Sequence, residues 1–175
     1  MKKILLLITL LPAFCLAQKS LLQTQSFRAT ILPLGFISET RIGTNQTLVL
    51  ETALAGSVRL TDSKINYVVK PMIGAGVRHF YNLERRAASG RTTKSNSGNY
   101  LSVNASYQFS ALIKSRETLQ INTLTAYGFS ALWGMQRTYR SGFYLNLAVG
   151  YGADFDSYEW KSGLAGGFGL GFTLK

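Results

Sequence analysis

The last nine residues, 167–175, alternate large apolar and small side chains to the end of the chain. Phe168, Leu170, Phe172 and Leu174 share one face of an extended strand; Gly167, Gly169, Gly171 and Thr173 share the other. A soluble antiparallel sheet sets an apolar inner face against a polar, solvated one. Here the second face is almost all glycine, which suits a crowded interior behind an apolar exterior, the pattern of a transmembrane β-barrel strand. The same period of two runs through residues 100–113, where Leu101, Val103, Ala105, Tyr107, Phe109, Ala111 and Ile113 oppose Tyr100, Ser102, Asn104, Ser106, Gln108 and Ser110. Residues 143–155 repeat it, and residues 119–135 set Ile121, Tyr127, Phe129 and Trp133 against Gln120, Asn122, Gly128, Ser130 and Gly134.

Earlier strands are noisier. Residues 47–55 direct Leu48, Leu50 and Leu54 outward and Glu51 inward; residues 66–81 direct Tyr67, Val69, Ile73, Ala75 and Val77 outward and Lys70, Gly74, Gly76 and Arg78 inward. Residues 26–42 exceed the ~9–11 residues of one membrane strand, so they divide near Pro33-Leu34-Gly35. The count is then eight: 26–33, 35–42, 46–55, 65–81, 98–113, 118–136, 141–155 and 163–175. The expected fold is all-β, an eight-stranded antiparallel up-and-down transmembrane barrel, with both termini on one side as an even strand number requires.

The start of the chain fits export. Met1-Lys2-Lys3 is basic, Ile4 to Leu11 is apolar, and Cys15-Leu16-Ala17 offers a small-x-small cleavage site. The expected division is a signal peptide over 1–17 and an outer-membrane barrel domain over 18–175. The one cysteine leaves with the signal, so no disulfide is expected. Without Lys2 and Lys3 the chain holds 17 basic and 8 acidic residues, a net charge of +9. An exported basic chain meets anionic lipid rather than nucleic acid.

Sorted on this topology, the charges separate. The inner face holds Arg28, Glu39, Arg41, Glu51, Lys70, Arg78 and Asp154, a lumen network of mixed sign. The end bearing the termini holds a basic surface of Arg85, Arg86, Arg91, Lys94, Arg137 and Arg140. If that end is periplasmic, it faces the phosphates of inner-leaflet lipid or an acidic periplasmic partner. The longest connection, 82–97, falls on this same end, although long loops of such barrels normally face outside.

Catalytic signals are sparse. His79 is the only histidine. A hydrolase site needs a nucleophile and an orienting acid beside it, and its same-face neighbours Val77 and Tyr81 supply neither. One histidine and scattered carboxylates form no metal-ligand pattern, and no glycine motif opens a helix to cradle phosphate. No cofactor is expected.

Two segments carry a resemblance. Arg78-His79-Phe80-Tyr81-Asn82-Leu83-Glu84-Arg85-Arg86 with Ser97-Gly98-Asn99-Tyr100-Leu101, and Leu32-Pro33-Leu34-Gly35 through Glu39, Arg41 and Gly43, resemble stretches of small outer-membrane β-barrel proteins of Bacteroidota. The architecture is similar to OmpX- and OmpA-type barrels. The resemblance implies location and fold and transfers no catalytic residue. The expected protein is thus a monomeric, non-enzymatic outer-membrane barrel with a side-chain-filled lumen, in contact with outer-membrane lipid. The alternatives are a membrane-embedded lipid-modifying enzyme using His79, or a narrow channel.

Overall fold

The computed structural model describes residues 21–61, 64–114, 124–156 and 159–174. The expected signal peptide, and residues 118–123 of the sixth expected strand, lie outside the described residues. Eight strands form a closed antiparallel ring: β1 (Gln25–Leu32), β2 (Leu34–Arg41), β3 (Gln46–Thr61), β4 (Lys64–Phe80), β5 (Asn99–Gln108), β6 (Ala126–Thr138), β7 (Phe143–Asp156) and β8 (Trp160–Leu174). Each strand pairs with its sequence neighbours, and β1 pairs with β8 from Phe27↔Leu174 to Leu32↔Leu170, which closes the ring. The division near Pro33 is correct: β1 and β2 form a tight hairpin, Ile31↔Leu34, turning at Leu32-Pro33.

Facing follows the alternation. Val103 on β5 is 68% exposed on the outer wall, while Ser102 is buried inside. The usual relation of burial to polarity is reversed. Among the described residues eight apolar and thirteen polar or charged ones are buried, and exposed Leu, Ile, Phe, Tyr and Trp side chains come from every strand of the ring. Aromatic pairs gather towards both rims: Tyr107 with Tyr127 and Phe155 with Trp160 at one, Phe143 with Phe172 at the other. No helix among the described residues is long and apolar enough to cross a membrane.

Two expectations need correction. The fifth strand does not run unbroken over 98–113. Its pairing with β4 stops at Met72↔Gln108 and resumes only at Val69↔Ile113, so two extra residues bulge out. Pro71 is the cause. The Phe109 N–H donates to the Pro71 carbonyl, so the missing N–H of Pro71 faces this same strand and cannot continue the ladder. The third strand runs to Thr61 rather than Ala55, because β3 and β4 stay paired to Thr61↔Lys64, beyond the end of β2 at Leu34↔Leu54. Residues 82–97 are the longest connection. They form a short helix α1 (Leu83–Ala88) and a 3-10 turn (Lys94–Asn96) that folds into the mouth of the barrel. Ser95, Asn96 and Ser97 are buried there. Leu22, Phe80, Leu83 and Tyr100 pack into a small apolar cluster at this end.

Inner glycines make room unequally. A Cβ on Gly134 would lie 2.2 Å from the Tyr100 ring, whereas one on Gly167 would meet nothing within 4 Å. Gly134→Ala should therefore lower stability by about 1–3 kcal/mol, the usual cost of overpacking. Gly167→Ala should stay within about 0.5 kcal/mol of the parent. Denaturant unfolding of the two variants in the same detergent checks both.

Candidate functional site

Three of the inner-face charges meet at the end that carries the termini. Arg28 from β1, Glu39 from β2 and Arg78 from β4 meet there because each lies on the inward parity of its strand. Arg28 Nη2 donates to Glu39 Oε2 at 2.7 Å with both side chains fully buried, and Arg78 Nη1 lies 3.7 Å from Glu39 Oε1. Thr47 Oγ1 donates to Glu39 Oε1 at 2.8 Å, and Gln136 Nε2 to Oε2 at 3.1 Å. Two arginines face one carboxylate, so the cluster carries an excess positive charge. Backbone oxygen and aromatic faces offset it. Arg28 donates to the Ser95 carbonyl at 3.0 Å and stacks 4.8 Å from the Tyr144 ring centroid; Arg78 stacks 4.7 Å from that of Tyr100. Stacking of this kind is worth up to about 2 kcal/mol when desolvated.

The 3-10 turn is tied into this cluster. Gln136 donates to the carbonyls of Ser95 and Asn96, both at 3.2 Å, while accepting from Arg78 Nη1 at 2.8 Å. Ser97 Oγ accepts from the Thr138 N–H at 2.8 Å, and the Asn96 amide oxygen from the Gln23 N–H at 2.8 Å. Ser95 and Asn96 both hold positive φ, 49° and 59°, a conformation that costs non-glycine residues energy. That is how two successive carbonyls can turn inward, Ser95 to Arg28 and Gln136 and Asn96 to Gln136.

The seven expected lumen charges do not form one network. Arg28, Glu39 and Arg78 meet as described. Glu51 lies further along the lumen, beside Gly74. Lys70 is buried near the opposite end, where Nζ donates to the Leu124 carbonyl at 2.7 Å. Asp154 shares that end, opposite Lys161 on β8. Arg41 has the inward parity of Glu39 but sits at the end of β2, exposed at the rim. Its place in the expected network is a correction: the strand ends before the lumen begins to enclose it. Gln136, Tyr100 and Tyr144 are the partners that charge counting missed. Their signal was parity, since each shares an inner face with Gly, Ser or Asn.

The basic residues do collect at one end. Arg85 and Arg86 lie on α1, with Arg91 and Lys94 following it, and Arg140 lies in the β6–β7 turn. Arg86 is held below the usual guanidinium range first by partial burial and then by the neighbouring charge of Arg91. Arg137 belongs to β6 rather than to a turn. Its guanidinium bridges strands, donating to the Gly98 carbonyl at 2.8 Å and the Asn99 amide oxygen at 2.7 Å.

The other half of the lumen is open, a departure from the expected side-chain-filled bore. A cavity of about 560 Å³ has Arg78, Tyr100 and Tyr144 at its floor and Glu51, Asn104 and Ser130 among its walls. His79 is elsewhere, exposed on the outer wall, with its Nδ1 3.1 Å from the Gln46 amide nitrogen. Its cross-strand neighbours are Gln46 and Leu101, so neither supplies a nucleophile. Among the described residues no three metal-ligating side chains converge.

Neutralising Glu39 would deprive two buried guanidinium groups of the one carboxylate they share. Glu39→Gln should cost about 3–5 kcal/mol, the range for breaking a buried ion pair on one side. The difference in unfolding free energy between parent and variant checks it.

No protein-family model, curated protein or solved structure matches this chain.

Proposed function

We propose that this chain is an integral outer-membrane barrel with a non-catalytic, architectural or interaction-bearing role. The reversed burial carries the reading: the ring exposes leucine, phenylalanine, tyrosine and tryptophan on all sides and keeps Arg28, Glu39 and Arg78 within. Contiguous apolar surface beyond a few hundred Å² is rare on soluble monomers, and a bilayer is the solvent that suits an apolar belt without an edge. The basic leader and small-x-small site before Gln18 support export. The similarity to small Bacteroidota barrels of the OmpX and OmpA kind supports the same address.

On this reading the termini lie in the periplasm, and the plugged end faces the inner leaflet and the space beneath it. Arg85, Arg86, Arg91, Lys94 and Arg140 there suit phosphate-bearing lipid head groups, each basic residue near such a surface contributing about 1 kcal/mol. The Ser95–Asn96 turn and the Glu39 cluster obstruct that end, which disfavours a conducting pore. Monomer is the expected state.

Membrane fractionation with heat-modifiable gel mobility tests the address: the mature chain should partition with the outer membrane and migrate faster unboiled than boiled. Val103→Arg should cost about 2–4 kcal/mol in lipid, the range for a cation at the midplane of a barrel wall, or abolish insertion. A silent Val103→Arg in a lipid refolding assay would reverse the assignment of faces. Charge reversal at Arg85, Arg86 and Arg91 together should weaken adhesion to phosphatidylglycerol vesicles and leave barrel mobility unchanged.

A further inference from the structure

The wall of the ring is uneven. β1 and β2 are eight residues each. Their neighbours are far longer. β8 continues past its last pair with β1, Leu32↔Leu170, by ten residues to Trp160, and β3 continues past its last pair with β2, Leu34↔Leu54, by seven to Thr61. Among the described residues nothing pairs with these two edges on the side facing the gap. A notch therefore opens above the β1–β2 hairpin.

The hairpin tip fixes the depth of that notch. Turns in water favour Gly, Asn, Asp and Ser. This one reads Ile31-Leu32-Pro33-Leu34, and its three aliphatic side chains are all more than half exposed. On the membrane reading above, on which this inference rests, such a tip ends in hydrocarbon. The notch then opens sideways into lipid, rimmed by Leu164, 92% exposed, and Phe168. Open sheet edges are not tolerated against lipid unless they line a polar cavity or are covered.

Behind the notch is the lumen cavity, which Pro33, Ala53, Gly163 and Gly167 also line. A Cβ on Gly163 or Gly167 would meet nothing within 4 Å, so the space along β8 is unfilled. Four charged side chains line it: Arg78 and Glu51, and the cross-strand neighbours Asp154 and Lys161. Arg78, only 6% exposed, lines the floor and its Nε has no acceptor. Among the described residues no hydrogen-bond donor reaches the Glu51 carboxylate on the wall, although it lies close enough to Arg78 to interact electrostatically. Arg28, Arg78, Glu39 and Glu51 together are neutral, and so are Asp154 and Lys161. A lone anion or cation would unbalance them; a head group carrying both signs would not.

We propose that the upper lumen binds the zwitterionic head of a membrane amphiphile, admitted sideways through the notch. The ammonium group lies against Glu51, the acid group turns towards Arg78, and the chain stays outside against Ile31, Leu34 and Phe168.

The test uses the folded barrel in maltoside micelles and lysophosphatidylethanolamine as the probe, followed by native mass spectrometry. One lipid should bind per barrel, at least tenfold tighter than lysophosphatidylglycerol and than free phosphoethanolamine. Glu51→Gln should weaken it tenfold or more. Gly163→Leu and Gly167→Leu, placed in open space so that the fold survives, should do the same by filling the mouth. Heat-modifiable mobility in every sample separates the two readings: a chain that is soluble without detergent defeats the membrane address, whereas a folded barrel defeats only this site if it binds both lipids alike, prefers the free head group, or ignores all three substitutions.

Discussion

Closure of the ring is the constraint on which the rest depends. Once β1 pairs with β8, every strand has one face towards a shared interior and one towards the surroundings. Side chains alternate strictly, so a slip of one residue would exchange the two faces along an entire strand. The glycine-rich side of β8 can therefore lie only inside, and Phe168, Leu170 and Phe172 only outside. The bore of an eight-stranded barrel is about wide enough for side chains to fill. Large inner residues such as Tyr100 are accommodated where a neighbouring strand supplies glycine, as Gly134 does.

The interior divides into a sealed half and an open half. At the sealed end a single carboxylate organises two arginines, a glutamine, a threonine and a strained turn from the longest connection. This resolves the position of residues 82–97 on the terminal side, where short turns are the rule. The segment is long because it reaches back into the mouth and fills it. At the open end β8 offers Gly163 and Gly167 to the interior with open space above both, while the short β1–β2 hairpin leaves the wall incomplete. Filling and openness thus follow from local choices of residue size and strand length on one continuous sheet.

Most of the architecture was legible because period-two alternation is a one-dimensional signal. The strands from Tyr100 onward and the inward direction of Gly74, Gly76 and Arg78 follow from it, whereas the turn at Pro33 follows from the length of residues 26–42. What it could not convey was interaction across the ring. The plug has no alternation to detect, since its inserted residues are Ser95, Asn96 and Ser97, the composition of any solvated loop. Pro71 stands in a strand whose pattern tolerates it, and its effect falls on the partner strand, where the fifth strand bulges. The extension of β3 past Ala55 reflects pairing with β4 alone. Inner-face charges could be identified by parity, but their division into a compact cluster, a Glu51 further along the lumen and a distant Lys70 and Asp154 depends on height along the barrel. Arg41 shows the same limit: right parity, wrong height.

The central claim is that the apolar wall meets lipid. Spin labels placed one at a time at positions 100–107 of the barrel in lipid vesicles, with collision rates to oxygen and to a water-soluble nickel complex, test it most directly. The account requires a period of two, with oxygen collisions high at 101, 103, 105 and 107 and low between. Uniformly low oxygen access at the odd positions, or high access to the nickel complex there, would mean that these side chains meet protein or water instead and would contradict it.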